Sequence, residues 1–277
     1  MKTAACKLAL SLAAGALLTG CGQLLTPVRL NAADVTPRVD YSDLAAVLAE
    51  AVDDDGLLVA KALKASAERL DSQLRLMAVT GPTASPHLLA DQQETLAYWY
   101  NARAAWSMKL ALVCDCPKRL NESQLTTRLF SLDGRDMSID SIDAVLRSYD
   151  DWRVEVCSPG VTMCRARLPD RPFTGQDVRQ RIEERLSEFV DDPQRFVIDV
   201  ERKRIFVPCV LWQYRNRLLE AHRAAYGTQG ANLTSALLPY VEGSAHRRLQ
   251  DAIGYQPVRA DRQLLPALQI EDWRIGL

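Results

Sequence analysis

From Ser42 onward apolar residues recur at helical spacing. Leu44, Val47, Leu48 and Ala51 share one face, and after the polar break Asp53-Asp54-Asp55-Gly56 the positions Leu63, Leu70, Leu74 and Met77 carry the same period to Gly81-Pro82. The pattern predicts two helices. Ser85-Pro86 then offers a capping hydroxyl followed by a proline suited to the first helical position, and Leu89, Leu96, Trp99, Trp106, Leu110 and Val113 trace a broad apolar face behind it. This long helix is the expected centre of the core.

Phe130-Ser131-Leu132 and Met137-Ser138-Ile139 flank Asp133-Gly134, a pair that tolerates positive φ at both positions and so predicts a hairpin. A short helix through Ile142 and Leu146 follows. Val154-Glu155-Val156-Cys157 alternates apolar and polar as a strand does. Thr174 with Asp177 opens a helix carrying Val178, Ile182, Leu186 and Phe189 on one side, and Asp192-Pro193 closes it. A second hairpin is predicted from 196–200 and 205–207 around Arg202-Lys203-Arg204, a charge run that reads as a solvated turn. Helices near 210–222, 232–242 and 245–253 complete the chain. The sum is a helix-rich α+β single domain over residues 41–277, with a small antiparallel sheet or hairpins.

The first twenty residues follow a different pattern. Lys2 and Lys7 precede an apolar run, Leu8 to Leu18, and Leu18-Thr19-Gly20-Cys21 ends it. The run is shorter than the ~20 apolar residues that span a bilayer, and small residues before a cysteine are what lipoprotein signal peptidase cuts at. Residues 1–20 are therefore read as a lipoprotein signal peptide, Cys21 as the lipidated first residue of the mature chain, and 21–40, with Pro27 and Pro37, as a tether. Gly22 after the cysteine favours the outer membrane, so the expected location is lipid-anchored there, facing the periplasm. Acyl chains on Cys21 supply the membrane partner without any protein–lipid contact.

Composition sharpens this picture by exclusion. The chain has 277 residues, 48% hydrophobic and 25% charged, which is that of a folded globular protein. Lys and Arg number 34 against 35 Asp and Glu, so no basic field exists to hold nucleic acid. In an oxidising periplasm the cysteines matter more. Besides Cys21 the mature chain has Cys114, Cys116, Cys157, Cys164 and Cys209, an odd number. Cys157 and Cys164 bracket a Ser-Pro-Gly turn and are the candidate disulfide, Cys114 and Cys116 are too close to pair without strain, and Cys209 in an apolar stretch reads as a buried free thiol.

Ala97-Tyr98-Trp99-Tyr100-Asn101, followed by Ala105 and Lys109-Leu110, resembles the aromatic-Trp-Ile-Asn helix of the bacterial DUF547 family. Ser138-Ile139-Asp140-Ser141-Ile142-Asp143 with Leu146-Arg147 is similar to that family's Ser-Leu-acidic-acidic-Ile-Glu segment, and Asp151-Trp152-Arg153-Val154 to its Asp-Pro-Arg-Ile strand entry. Leu168, Phe173-Thr174, Phe189, Asp192-Pro193, Val210 and Tyr214 extend the likeness over about 90–220. The resemblance brings no established reaction. Better-matched members invite a Cys-His pairing on a papain-like or transglutaminase-like core; here Glu155 stands where the family has His, Pro159-Gly160 replace its Asn-Cys, and Ala104 replaces a second Asn.

Three residues remain as catalytic candidates: Cys157, Glu155 and Asn101. A thiol nucleophile needs ionisation and exposure, and His87, His222 and His246 sit in no partner motif. Glu155 reads as a base or as a solvent-facing partner of Arg153 or a neighbour. Asn101, on a face rich in Trp and Tyr, reads first as a buried hydrogen-bonding clamp. Trp99, Trp106 and Tyr98 could stack a sugar, though their helical spacing makes packing the first explanation. Cys114-Asp115-Cys116 lacks metal or redox spacing, and no cofactor or metal motif occurs. The leading expectation is a non-catalytic or degenerate DUF547-like domain that binds a periplasmic envelope protein. The alternatives are a thiol-dependent hydrolase or transferase using Cys157, and a thiol-disulfide protein using Cys114 or Cys116.

Overall fold

The computed structural model describes residues 39–89, 91–116, 126–162, 164–227 and 230–260. The predicted signal peptide, Cys21 and nearly all of the tether lie outside them. Helices α1 (Ser42–Ala51), α2 (Ala60–Ala65) and α3 (Ala67–Val79) open the fold. The second predicted helix is thus two, broken at Ser66, whose hydroxyl donates to Glu50 Oε2 at 2.6 Å. Ser85-Pro86 starts only a 3-10 turn, Pro86–Leu88, and the long helix α4 runs Gln92–Val113. Its cap is Asp91, whose carboxylate accepts from the amides of Gln93 at 2.7 Å and Glu94 at 2.9 Å.

Every residue of α4 from Leu96 to Met108 is buried. A helix covered on all sides must have neighbours on all sides. Those neighbours are α2, α3, α5 (Ile139–Arg147) and α7 (Val178–Asp191). Trp99 is buried, and Trp106 stacks on Phe130 with ring centroids 3.9 Å apart, so both tryptophans are packing elements.

The first hairpin joins β1 (Phe130–Leu132) to β2 (Arg135–Met137), with Asp133 at φ 56 and Gly134 at φ 73 in the tight turn. Asp133 also accepts from the amides of Thr83 and Ala84, at 2.7 and 2.9 Å, which ties the hairpin to the loop after α3. The predicted strand 154–157 is instead a helical turn, α6 (Arg153–Val156). Val154, Glu155, Val156 and Cys157 are all buried, so the apolar–polar alternation marked no exposed face.

Before α7, Thr174 and Asp177 exchange hydrogen bonds, Thr174 N–H to Asp177 Oδ1 at 2.8 Å and Asp177 N–H to Thr174 Oγ1 at 3.3 Å. The second hairpin, β3 (Val197–Asp199) with β4 (Arg204–Val207), gains a third strand, β5 (Gln256–Arg259), parallel to β4. Pro257 sits on this edge strand, where its missing N–H is tolerated. Helices α8 (Cys209–Tyr226), α9 (Leu233–Leu237) and α10 (Gly243–Asp251) complete the described chain. One apolar cluster runs continuously from α1 to α10, and the fold is a helix-rich α+β single domain with two small sheets.

The disulfide joins Cys164 to Cys209, with Cα atoms 5.5 Å apart, and not Cys157 to Cys164. Cys157 is fully buried at the end of α6 and outside any disulfide. Cys164 lies on the half-buried loop that meets the first turn of α8, where Pro208 presents Cys209, so that cysteine is no free thiol.

Candidate functional site

Asn101 projects from the middle of α4 onto Phe173. Its Nδ2 donates to the Phe173 carbonyl at 2.9 Å and its Oδ1 accepts from the Phe173 amide at 2.8 Å. Both partners are fully buried, so the amide satisfies a stretch of backbone that has no secondary-structure partner. The Phe173 ring stands edge-on to Tyr100 and under the guanidinium of Arg181, 4.0 Å from its centroid.

Cys157 lies beside this clamp. Burial pushes its thiol up to about 12, against the positive charge of Arg185, which acts in the other direction. Among the described residues no hydrogen bond joins it to an imidazole: His87 is exposed in the 3-10 turn, His222 packs on Tyr226 in α8, and His246 lies on α10. The thiol is therefore neutral and sealed at physiological pH.

Glu155 is neither solvent-facing nor paired with Arg153. It is fully buried, and Arg147 grips it twice, Nε to Oε2 at 3.0 Å and Nη2 to Oε1 at 2.8 Å, while the Tyr214 hydroxyl donates to Oε2. Burial and that carboxylate both raise the Tyr214 hydroxyl above its ordinary range. Arg165 continues the chain of charge, with Nη1 3.9 Å from Glu155 Oε1 and Nη2 donating to Asp143 Oδ2 at 2.6 Å. Arg103 closes it from α4, donating to Asp143 through Nε at 2.6 Å and Nη2 at 3.2 Å, and to the Pro159 carbonyl through Nη1. Burial works to raise the Asp143 carboxyl, but Arg103 and Arg165 outweigh it and hold the group below its ordinary value.

Gly160 is what lets Arg103 reach Pro159, since a Cβ there would lie 2.6 Å from Nη1. Glu155, Pro159 and Gly160 all serve one buried ion network.

A cleft of 780 Å³ opens against α7. Its walls are the loop Asp53–Gly56, the segment Arg167–Arg171 and the face of α7 bearing Arg181, Glu184, Arg185, Glu188 and Asp191. Arg167 fastens the loop, donating to the Asp55 carbonyl and, through Nη2 at 3.0 Å, to Asp192. Gly56, at φ +69, brings the loop so close that an added Cβ would stand 2.8 Å from that of Arg167.

Arg181 is anchored to Asp170 at 3.2 Å and to the carbonyls of Pro172 and Arg171. Arg195, behind them, pairs with Asp192, and burial together with the nearby charges of Arg167 and Arg185 pushes it below its usual range. Arg185 differs from all of these. It is 6% exposed, donates through Nε to the Cys157 carbonyl at 3.3 Å and through Nη2 to the Arg167 carbonyl, and has no carboxylate within 4 Å among the described residues, the charges of Glu188 and Asp170 acting on it from farther off. Burial lowers it too.

These arginines lie in no sequence motif, yet the sequence carries a signal for them. Arg181 and Arg185 interleave with Val178, Ile182, Leu186 and Phe189 at helical spacing, so they occupy the buried stripe itself. Among the described residues, no group of three or more His, Cys, Asp or Glu is placed to hold a metal. Comparison of the chain with protein-family models, curated proteins and solved structures finds no match.

Proposed function

We propose that this protein is a lipid-anchored binding domain of the outer membrane, facing the periplasm, built on a DUF547-like core whose chemistry-bearing positions have been given over to structure. One observation carries the reading. The three residues best suited to catalysis are each committed elsewhere: Cys157 sealed and protonated, both oxygens of Glu155 taken by Arg147 and Tyr214, both ends of the Asn101 amide on Phe173. The cleft that could admit a ligand is lined instead by charged side chains.

The anchor belongs to the same reading. Cys21 holds the chain to the membrane, the tether spaces the domain from it, and the occupant of the cleft or a periplasmic envelope protein is the partner. Turnover of a panel of chromogenic esters, thioesters and amides by the wild type and by Cys157→Ala tests the catalytic side. No Cys157-dependent turnover is expected, and hydrolysis abolished by Cys157→Ala would return the thiol-dependent hydrolase or transferase to first place. Fatty-acid labelling tests the anchor: it should vanish in Cys21→Ala, which should leave the membrane fraction, and persistence would contradict the lipidation.

A further inference from the structure

The cleft has an uneven distribution of charge. Of its lining side chains, Arg167, Arg171 and Arg181 each contact a carboxylate within 4 Å. Arg185 contacts none, and it is the buried one whose Nη1 has no hydrogen-bond partner among the described residues. Nε and Nη2 are fixed by two carbonyls, so the guanidinium is oriented before anything binds. A desolvated guanidinium held this way favours an anionic oxygen over water.

Around it the imbalance reverses. Asp53, Asp54, Glu184 and Glu188 line the same cleft and make no salt bridge within 4 Å among the described residues, Glu188 acting on Arg185 at longer range; Asp54, Glu184 and Glu188 are exposed. Such a rim repels polyanions, which argues against nucleotides and phosphate, and attracts an ammonium group. Two buried guanidinium groups line the cleft, and the one without a carboxylate within 4 Å, Arg185, set among several exposed acids, matches a ligand with a carboxylate at one end and an amine at the other. The volume lies in the range of roughly 300–1,000 Å³ that encloses small organic ligands.

We propose that the cleft binds a small amino-carboxylate, an amino acid or short peptide, with its carboxylate on Arg185 and its ammonium toward Glu184, Glu188 and the Asp53–Asp54 loop. The proposal rests on the binding-domain reading and names its ligand class. Arg167 fastens that loop to the cleft wall.

Isothermal titration of the purified full chain tests it, with triglycine, triglycine amide, N-acetyl-triglycine and inorganic phosphate as probes. Triglycine should bind, and loss of either terminal charge should weaken binding by at least about tenfold. Arg185→Gln should abolish the distinction between the free acid and the amide. Because that side chain is buried, a second variant covers the case of failed folding: Asp54→Asn with Glu188→Gln, both on the exposed rim, should weaken triglycine but leave N-acetyl-triglycine unchanged. Equal binding of acid and amide, phosphate binding tighter than triglycine, or no binding of triglycine to folded wild-type protein would each overturn the ligand class. Cleavage of the bound peptide that depends on Cys157 would overturn the non-catalytic reading and leave the ligand class standing.

Discussion

Asn101 commits both halves of its amide to the backbone of one residue, and the consequence is measurable. Asn101→Ala leaves the buried N–H and C=O of Phe173 without partners, at about 1–3 kcal/mol each, so the urea midpoint should fall by an amount equivalent to ~2–5 kcal/mol. Asn101→Asp keeps the acceptor for the amide but sets a carboxylate against the carbonyl, and should destabilise as well. An unchanged midpoint in either variant contradicts the clamp. Asp143 is the residue on which the ion network turns, since Arg103 and Arg165 share its carboxylate. Asp143→Asn removes that shared charge from a buried site and should cost about 3–5 kcal/mol in the same assay. A loss under ~1 kcal/mol would mean that the arginines find other compensation.

At the scale of elements, legibility in the sequence followed the length of the pattern. The long helix was readable because its apolar residues extend over many turns, and the first hairpin because Asp133-Gly134 determines its turn locally. Four alternating residues at 154–157 could not separate a strand from a buried helical turn, and β5, with Pro257 and no alternation, gave no strand signal. The disulfide was illegible for a different reason: its partners lie 45 residues apart and meet only once the loop before α7 reaches the start of α8. Closing a loop of that size restricts the unfolded chain by ~4 kcal/mol. Cys164→Ser should therefore lower the urea midpoint to that of the reduced wild type, and reductant should not lower the variant further. A variant as stable as the oxidised wild type would contradict the bridge.

For the molecule as a whole, burial of proton-bearing groups sets the pH response. Burial pushes the Cys157 thiol up to about 12 and raises the hydroxyls of Tyr98 and Tyr100 well above their ordinary values. In the unfolded chain the same groups ionise near about 8.5 and about 10. The folded state thus keeps protons that the unfolded state releases. Stability from this source is complete below about pH 8.5 and is lost as pH rises from there through the folded values. Urea midpoints measured from about pH 8 to about pH 11 should fall steadily, and a flat profile would mean that these groups are hydrated in the fold.

The candidate site was only partly legible at this scale. Asn101 could be read as a clamp from the aromatic residues around it, whereas the surroundings of Glu155 depend on Arg147, Arg165 and Tyr214, brought together by three different segments of the chain. The cleft depends on still more distant pieces, the Asp53–Gly56 loop and the face of α7. Local pattern determines which faces are buried; which charges meet there is a property of the assembled fold.

On the proposed reading, Cys157 belongs to the scaffold and not to a reactive site. Timed alkylation of the native, unreduced protein with iodoacetamide near pH ~7.5, followed by peptide mapping without reduction, tests it most directly, because a neutral buried thiol reacts far more slowly than a free one of pKa ≈ 8.5. The expected map links Cys164 to Cys209 and leaves Cys157 unmodified until denaturant is added. Rapid single-site labelling of Cys157 in the folded protein, or a Cys157–Cys164 linkage, would contradict the account.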